Sequence, residues 1–370
     1  MLLSEKKKIA WLDTVRVFAS FAIIFAHYLM SEGFADASWT RRICYDLASL
    51  GVFLFFAISG YLVVGSLDRS PSLWEFYRRR LIRIVVPFAV AYIFLGTLYV
   101  LAGIFEPDIA ARSPFYKAFY RPDYLKDFIC IFPVDMNLFV WLKIPFMPFV
   151  GEWFMAVIIL MYLIAPLLKK YATTAPLITL AVSVVISFAV FYATEELSQT
   201  GRLAYNWWLV LVRIPEFLFG MILFIHRERI LKFRRQFELA AGVWVAGWLI
   251  YFVAQQPPVG AIFFDCNPKI FAITMPVSFL FFSLMERINR TPTAVMDWFN
   301  GFSGISYPII LIQHPIIYLF ADKFQFERLR FFGIIFVMGV LTWLIIILSR
   351  MLNKFSAPAE TFFMKKVKWT

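Results

Sequence analysis

Residues 46–67, DLASLGVFLFFAISGYLVVGSL, carry no charge beyond the opening Asp46 and consist mainly of Leu, Val, Phe, Ala and Ile. At 1.5 Å per residue, a helix of about 20 such residues crosses the roughly 30 Å hydrocarbon core of a bilayer. Runs of the same kind recur near 9–30, 84–105, 150–168, 174–193, 207–226, 237–254, 269–285, 301–321 and 331–349. The expected fold is therefore an all-α polytopic membrane protein of about ten transmembrane helices.

Composition agrees. The chain is 61% hydrophobic, with a mean hydropathy of +0.74, whereas an average soluble domain is about 45–50% apolar. Ten spans within 370 residues leave no room for a sizeable soluble domain, so residues 1–370 are read as one membrane domain. It would carry an outer connection at about 106–149 and a basic C-terminal tail at 350–370. The opening Lys6, Lys7 and Lys8 precede an apolar stretch that contains Asp13 and Arg16 and shows no clear small-residue cleavage site, so it is expected to be a retained first span.

The net charge is +12. In a soluble chain such a balance points to nucleic acid through phosphate neutralisation. Here 22 of the 36 Lys and Arg fall in alternate connections, counted as inner from an inside N-terminus, 12 fall in the outer connections or, as Lys269 does, at their edge, and only Arg16 and Arg213 fall inside spans. That alternation predicts N-in, C-in orientation, membrane lipids as the surroundings, and no nucleic-acid partner. Cys44, Cys130 and Cys266 fall in or beside outer segments, have no metal-ligand spacing and could close at most one disulfide. No metal is expected.

Ionisable groups within spans are costly to insert and become candidates for function unless they pair locally. Asp13 and Arg16 are three residues apart and can pair on one helix face. Arg16 and His27, eleven residues apart, share a face at depths differing by about 16 Å. His27 is either an interfacial histidine or a general base that takes a proton from a hydroxyl attacking a thioester. Arg213 and Glu216 form a local ion pair or a polar wall of an acceptor cavity. His314, beside Pro315 in the ninth run, serves a structural hydrogen bond or the chemistry itself.

The run Leu12-Asp13-Thr14-Val15-Arg16, with Ala19 and then His27, resembles the first-span signature of acyltransferase family 3. Residues 51–61, then Phe76, Arg79, Arg80, Arg83 and Pro87, resemble the family's second block and its Arg-x-x-Arg element. Weaker likenesses lie around Glu152-Trp153-Phe154, at Arg213-Ile214-Pro215-Glu216-Phe217 with Gly220, and at Ser306-Tyr307 with His314-Pro315. Relatives often carry a different residue at the position of Glu152.

The resemblance implies an integral-membrane O-acyltransferase in a bacterial inner membrane. It would move an acyl group, expected to be acetyl, from acetyl-coenzyme A or another acyl-coenzyme A to a hydroxyl of a carbohydrate or lipid-linked glycan. Arg16 and His27 would be catalytic, and Arg80, Arg83 and Arg79 would bind the coenzyme's phosphates, although basic residues at that place also serve as a positive-inside anchor. Asp13, Glu152, Arg213, Glu216, Tyr307 and His314 would support them, with Ser59 a candidate acyl carrier by position. The competing class is a polysaccharide or lipid exporter, or an accessory subunit of an assembly complex, in which the same polar residues line a path.

Overall fold

The computed structural model describes residues 2–30, 38–105, 137, 150, 152–203, 206–255, 271–289, 293–324 and 331–366. Among them there are helices and no strands. In chain order these are α1 (Leu2–Met30), α2 (Ser38–Arg69), α3 (Leu73–Phe105), α4 (Glu152–Thr174), α5 (Pro176–Ala193), α6 (Glu195–Gln199) and α7 (Val210–Ile225). They are followed by α8 (Arg227–Lys232), α9 (Arg234–Gln255), α10 (Phe271–Ile288), α11 (Ala294–Asn300), α12 (Ser306–Phe324) and α13 (Phe331–Lys366).

Seven helices are long and apolar enough to cross a membrane: α1, α2, α3, α4, α5, α10 and α13. The other three expected spans coincide with α7, α9 and α12. Of these, α7 is 16 residues long and carries Arg213 and Glu216, α9 opens on Arg234, Arg235 and Glu238, and α12 interrupts its apolar run with Gln313, His314 and Pro315. The expected outer connection at 106–149 lies outside the described residues except for Asn137, as do Cys130, Cys266 and the side chain of Cys44.

Side-chain register gives the direction of each helix. Trp11 packs on Tyr61, whereas Gly51 lies against Ala19 and Ile23, so α1 and α2 are antiparallel. Thr14 bonds Asn300, Ser20 bonds the Ser306 carbonyl and His27 meets Gln313, each pair 286 residues apart. A constant offset means that α11 and α12 run parallel to α1. Tyr28, at the far end of α1, donates to the Met338 carbonyl near the start of α13, so α13 returns in the opposite direction.

The remaining helices follow the same logic. Trp153 stacks on Trp208, Tyr162 packs at a tilt against Phe217, and His226 Nε2 meets the Ala172 carbonyl, which makes α4 and α7 parallel. Ser187 donates to the Val212 carbonyl and Asn206 to the Phe191 carbonyl, so α5 opposes α7. Arg234 bonds Glu286 while Trp244 bonds the Ala272 carbonyl, so α9 opposes α10. Each successive long helix thus reverses direction.

At the centre α2 crosses α7 with backbone touching backbone. A Cβ placed on Gly60 would sit 1.9 Å from the Phe217 carbonyl oxygen, and one on Gly220 would sit 1.8 Å from that of Ala57. Small residues are what permit such an approach. Burial declines outward, from 67% of the apolar window of α2 to 17% of that of α5, whose Leu177, Ile178 and Val185 face outward as lipid-contacting side chains would.

Candidate active site

A cavity of about 280 Å³ lies between α1, α2, α3, α4 and α12. Its cationic wall is made by Arg16, Arg80 and Arg83, its hydroxyl groups come from Ser59, Tyr162, Ser306 and Tyr307, and the rest is apolar, including Phe55, Phe154 and Ile158. Residues separated by up to 294 positions in sequence meet here because α12 lies in register along α1 and α3 starts where α2 ends.

The three arginines are held differently. Arg16 is paired with Asp13 at 3.0 Å across one turn of α1, with its side chain still 25% exposed. Arg80 donates to the Leu62 carbonyl at 3.2 Å and to the Tyr162 hydroxyl at 3.5 Å, with its guanidinium carbon 5.1 Å from the Tyr162 ring centroid, a cation–π geometry that fixes its plane. Arg83 is exposed and has no hydrogen bond or ion pair among the described residues, although Glu360 of α13 is near enough to act on its charge. Its five N–H donors are thus open to a ligand, in the fork geometry that suits phosphate. The third arginine of the expected coenzyme set, Arg79, pairs instead with Glu75 on the same helix and does not line the cavity.

His27 is not a wall of this cavity. It lies further along α1, with Nδ1 2.8 Å from Oε1 of Gln313 and its ring centroid 4.8 Å from that of His314, which in turn packs edge-on against Tyr318 at 4.5 Å. Two of the chain's three histidines therefore share one contact. The nearest wall residue on α12 is Ile310, three residues before Gln313, so the cavity ends about 4.5 Å along the helix axis from the histidine level. Tyr307 donates to the Ile84 carbonyl at 2.9 Å, tying α12 to α3 at the cavity wall.

Arg213 and Glu216 sit elsewhere. They form a buried ion pair at 3.0 Å in α7, with Arg213 over the Phe56 ring, and neither lines the cavity. Glu152 opens α4, and its side chain lies outside the described ones. Gln313, Ser306 and Tyr162 join the site without having been singled out as chemistry. The polar pair Gln313 and His314 within an apolar run was the available signal for the first of them, and the register with α1 was not visible in a linear sequence.

Long apolar helices surrounding a cavity with a cationic wall and an apolar remainder, with a histidine pair one turn beyond it, define the chain as an integral-membrane protein. The chain belongs to acyltransferase family 3: the acyltransferase domain of that family matches residues 9–350, nearly its whole length. Membership supports an O-acyltransferase activity. No curated protein and no solved structure matches the chain.

Proposed function

We propose that this protein is an acyl-coenzyme A-dependent O-acyltransferase, moving an acetyl group to a sugar hydroxyl of a surface polysaccharide or its lipid-linked precursor in a bacterial inner membrane. The observation that carries the reading is the joint presence of Arg16, Arg80 and Arg83 in one cavity whose far end approaches His27. Phosphates held by the open guanidinium of Arg83 and the fixed one of Arg80 would leave the pantetheine arm to extend along the apolar wall toward Arg16 and on to His27.

Transfer then needs a base. His27 takes the proton of the acceptor hydroxyl as its oxygen bonds to the thioester carbonyl carbon. Arg16 lies about 16 Å from His27 along α1, so its charge serves the anionic coenzyme in the cavity rather than the forming oxyanion. Breaking the C–S bond releases the thiolate, which recovers the proton from the imidazolium, so the products are the ester and free coenzyme A. The two-step alternative passes through an acyl-enzyme on Ser59, a cavity wall residue. The alternating helix directions favour ten crossings, and the gathering of Lys and Arg in alternate connections favours the cytoplasmic side for both termini, where the coenzyme is found.

The test is acyl-coenzyme A consumption by purified protein in lipid, wild type beside His27→Ala and Arg83→Ala, with coenzyme binding followed by thermal shift. Binding lost with Arg83→Ala and turnover lost with His27→Ala support the assignment. A wild type that neither binds nor consumes any acyl-coenzyme A removes it and leaves an exporter as the better account.

A further inference from the structure

Resting on the acyl-transfer reading above, we propose that Gln313 is a positioning residue that fixes the tautomer of His27, leaving Nε2 as the proton-accepting atom. Gln313 turns its carbonyl oxygen, Oε1, toward His27 Nδ1 at 2.8 Å. A carbonyl oxygen can only accept, so a neutral His27 must carry its hydrogen on Nδ1 and donate it. The Ile23 carbonyl, one turn earlier on α1, is a second acceptor against the same ring. With Nδ1 protonated, the lone pair of the neutral ring is on Nε2, the nitrogen that a general base would use.

The support around Gln313 is firm. The residue is only 2% exposed, and α12 carries it in register with α1 through the Ser20–Ser306 bond two turns below. Burial matters, because an amide in water would rotate and offer either end, whereas in an apolar interior a lost partner costs about 1–3 kcal/mol. Among the described residues, the titratable group against His27 from α12 is His314, with ring centroids 4.8 Å apart. Two imidazolium rings at that spacing would repel, so a proton gained by one disfavours a proton on the other. Gln313 is neutral and adds no charge to this pair.

The role differs from simple packing in its chemistry. Replacing Gln313 by Leu fills a similar volume with an apolar group, which packing alone would tolerate, but removes the acceptor. Replacing it by Glu keeps an oxygen acceptor opposite Nδ1 and introduces a charge, which packing alone would reject.

The experiment is nitrogen NMR on full-length protein in lipid nanodiscs, labelled with ¹⁵N-histidine. Three histidines give a tractable spectrum, and His226→Gln and His314→Gln identify the remaining resonances by subtraction. The expected wild-type signature for His27 is a protonated Nδ1 with a lone-pair Nε2. Gln313→Leu should move it toward a mixture with the opposite tautomer, and Gln313→Glu should restore a protonated Nδ1.

A wild-type His27 protonated on Nε2, or a Leu variant with an unchanged signature, overturns the proposal. In parallel, acetyl-coenzyme A turnover should fall about 10- to 100-fold in Gln313→Leu, with little change in KM for the coenzyme and partial recovery in Gln313→Glu. An intact tautomer effect in a protein that consumes no acyl-coenzyme A removes the acyl-transfer reading while leaving the structural assignment standing, so the two failures are distinguishable.

Discussion

Arg80 and Arg83 occupy one helix turn, yet the structure commits them differently, and the difference is testable at single positions. Arg83 has no hydrogen bond or ion pair to lose among the described residues, so Arg83→Ala should leave thermal stability near that of wild type while weakening coenzyme A binding about 10- to 100-fold, the worth of a charged hydrogen bond. Arg80 stacks on Tyr162 and bonds the Leu62 carbonyl, so Arg80→Lys should lose binding and some stability together, because an ammonium reproduces neither the plane nor the fork. Thermal-shift titration with coenzyme A reads both. The Arg213–Glu216 pair should behave in the opposite way. It is buried, with side chains 5% and 1% exposed, and Arg213 Nε and Glu216 Oε2 have no hydrogen-bond partner among the described residues. Glu216→Ala should therefore destabilise by roughly 3–5 kcal/mol by stranding Arg213, while replacing both residues with Leu and Met should recover most of the loss. Since neither residue lines the cavity, acyl-coenzyme A turnover per folded molecule should remain within a few-fold of wild type in the double variant.

At the scale of elements, the α2–α7 crossing is the most sensitive contact in the fold. Gly220→Ala places a Cβ into the Ala57 carbonyl, which is backbone and cannot turn aside, so this variant should fail to give a monodisperse protein on fluorescence-detected gel filtration. Gly247→Ala and Gly339→Ala meet nothing within 4 Å and should be neutral or stabilising by up to about 1 kcal/mol through helix propensity. The contrast shows what the sequence could and could not tell. Long uncharged runs revealed the helices, because length and hydropathy are local properties. The three-residue spacing of Asp13 and Arg16 revealed their ion pair for the same reason. Gly60 and Gly220 fall within the motif blocks, but their close approach depends on two helices about 160 positions apart, and nothing local announces it. Likewise Arg79, Arg80 and Arg83 read alike in sequence, and only the rotation of α3 separates the residue that pairs with Glu75 from the two that line the cavity.

The whole molecule poses the question of parity. Seven helices satisfy a simple length-and-hydropathy measure, and an odd number of crossings would put the two ends of the chain on opposite sides. The packing argues otherwise. Tyr28 at the end of α1 reaches Met338 at the start of α13, and Arg78 at the start of α3 reaches the Met364 carbonyl at the end of α13. The starts of α1 and α3 therefore lie toward the end of α13, the arrangement that an even number of crossings would give. Polar residues lower the hydropathy of α7, α9 and α12, and these groups have partners inside the bundle: Arg213 meets Glu216 on its own helix, while Arg234 meets Glu286 and Gln313 meets His27 on neighbouring ones. A helix whose polar groups are satisfied inside a bundle can cross lipid with a lower mean hydropathy than one that stands alone. Substituted-cysteine labelling tests this in a background with Cys44, Cys130 and Cys266 changed to Ala. A membrane-impermeant maleimide applied to sealed vesicles of one orientation should reach Ser72→Cys, Glu228→Cys and a cysteine appended at the C-terminus from the same side. Ser198→Cys in α6 should react only from the other. A C-terminus labelled from the side opposite to Ser72 would require an odd count, and would mean that at least one of α7, α9 and α12 does not cross.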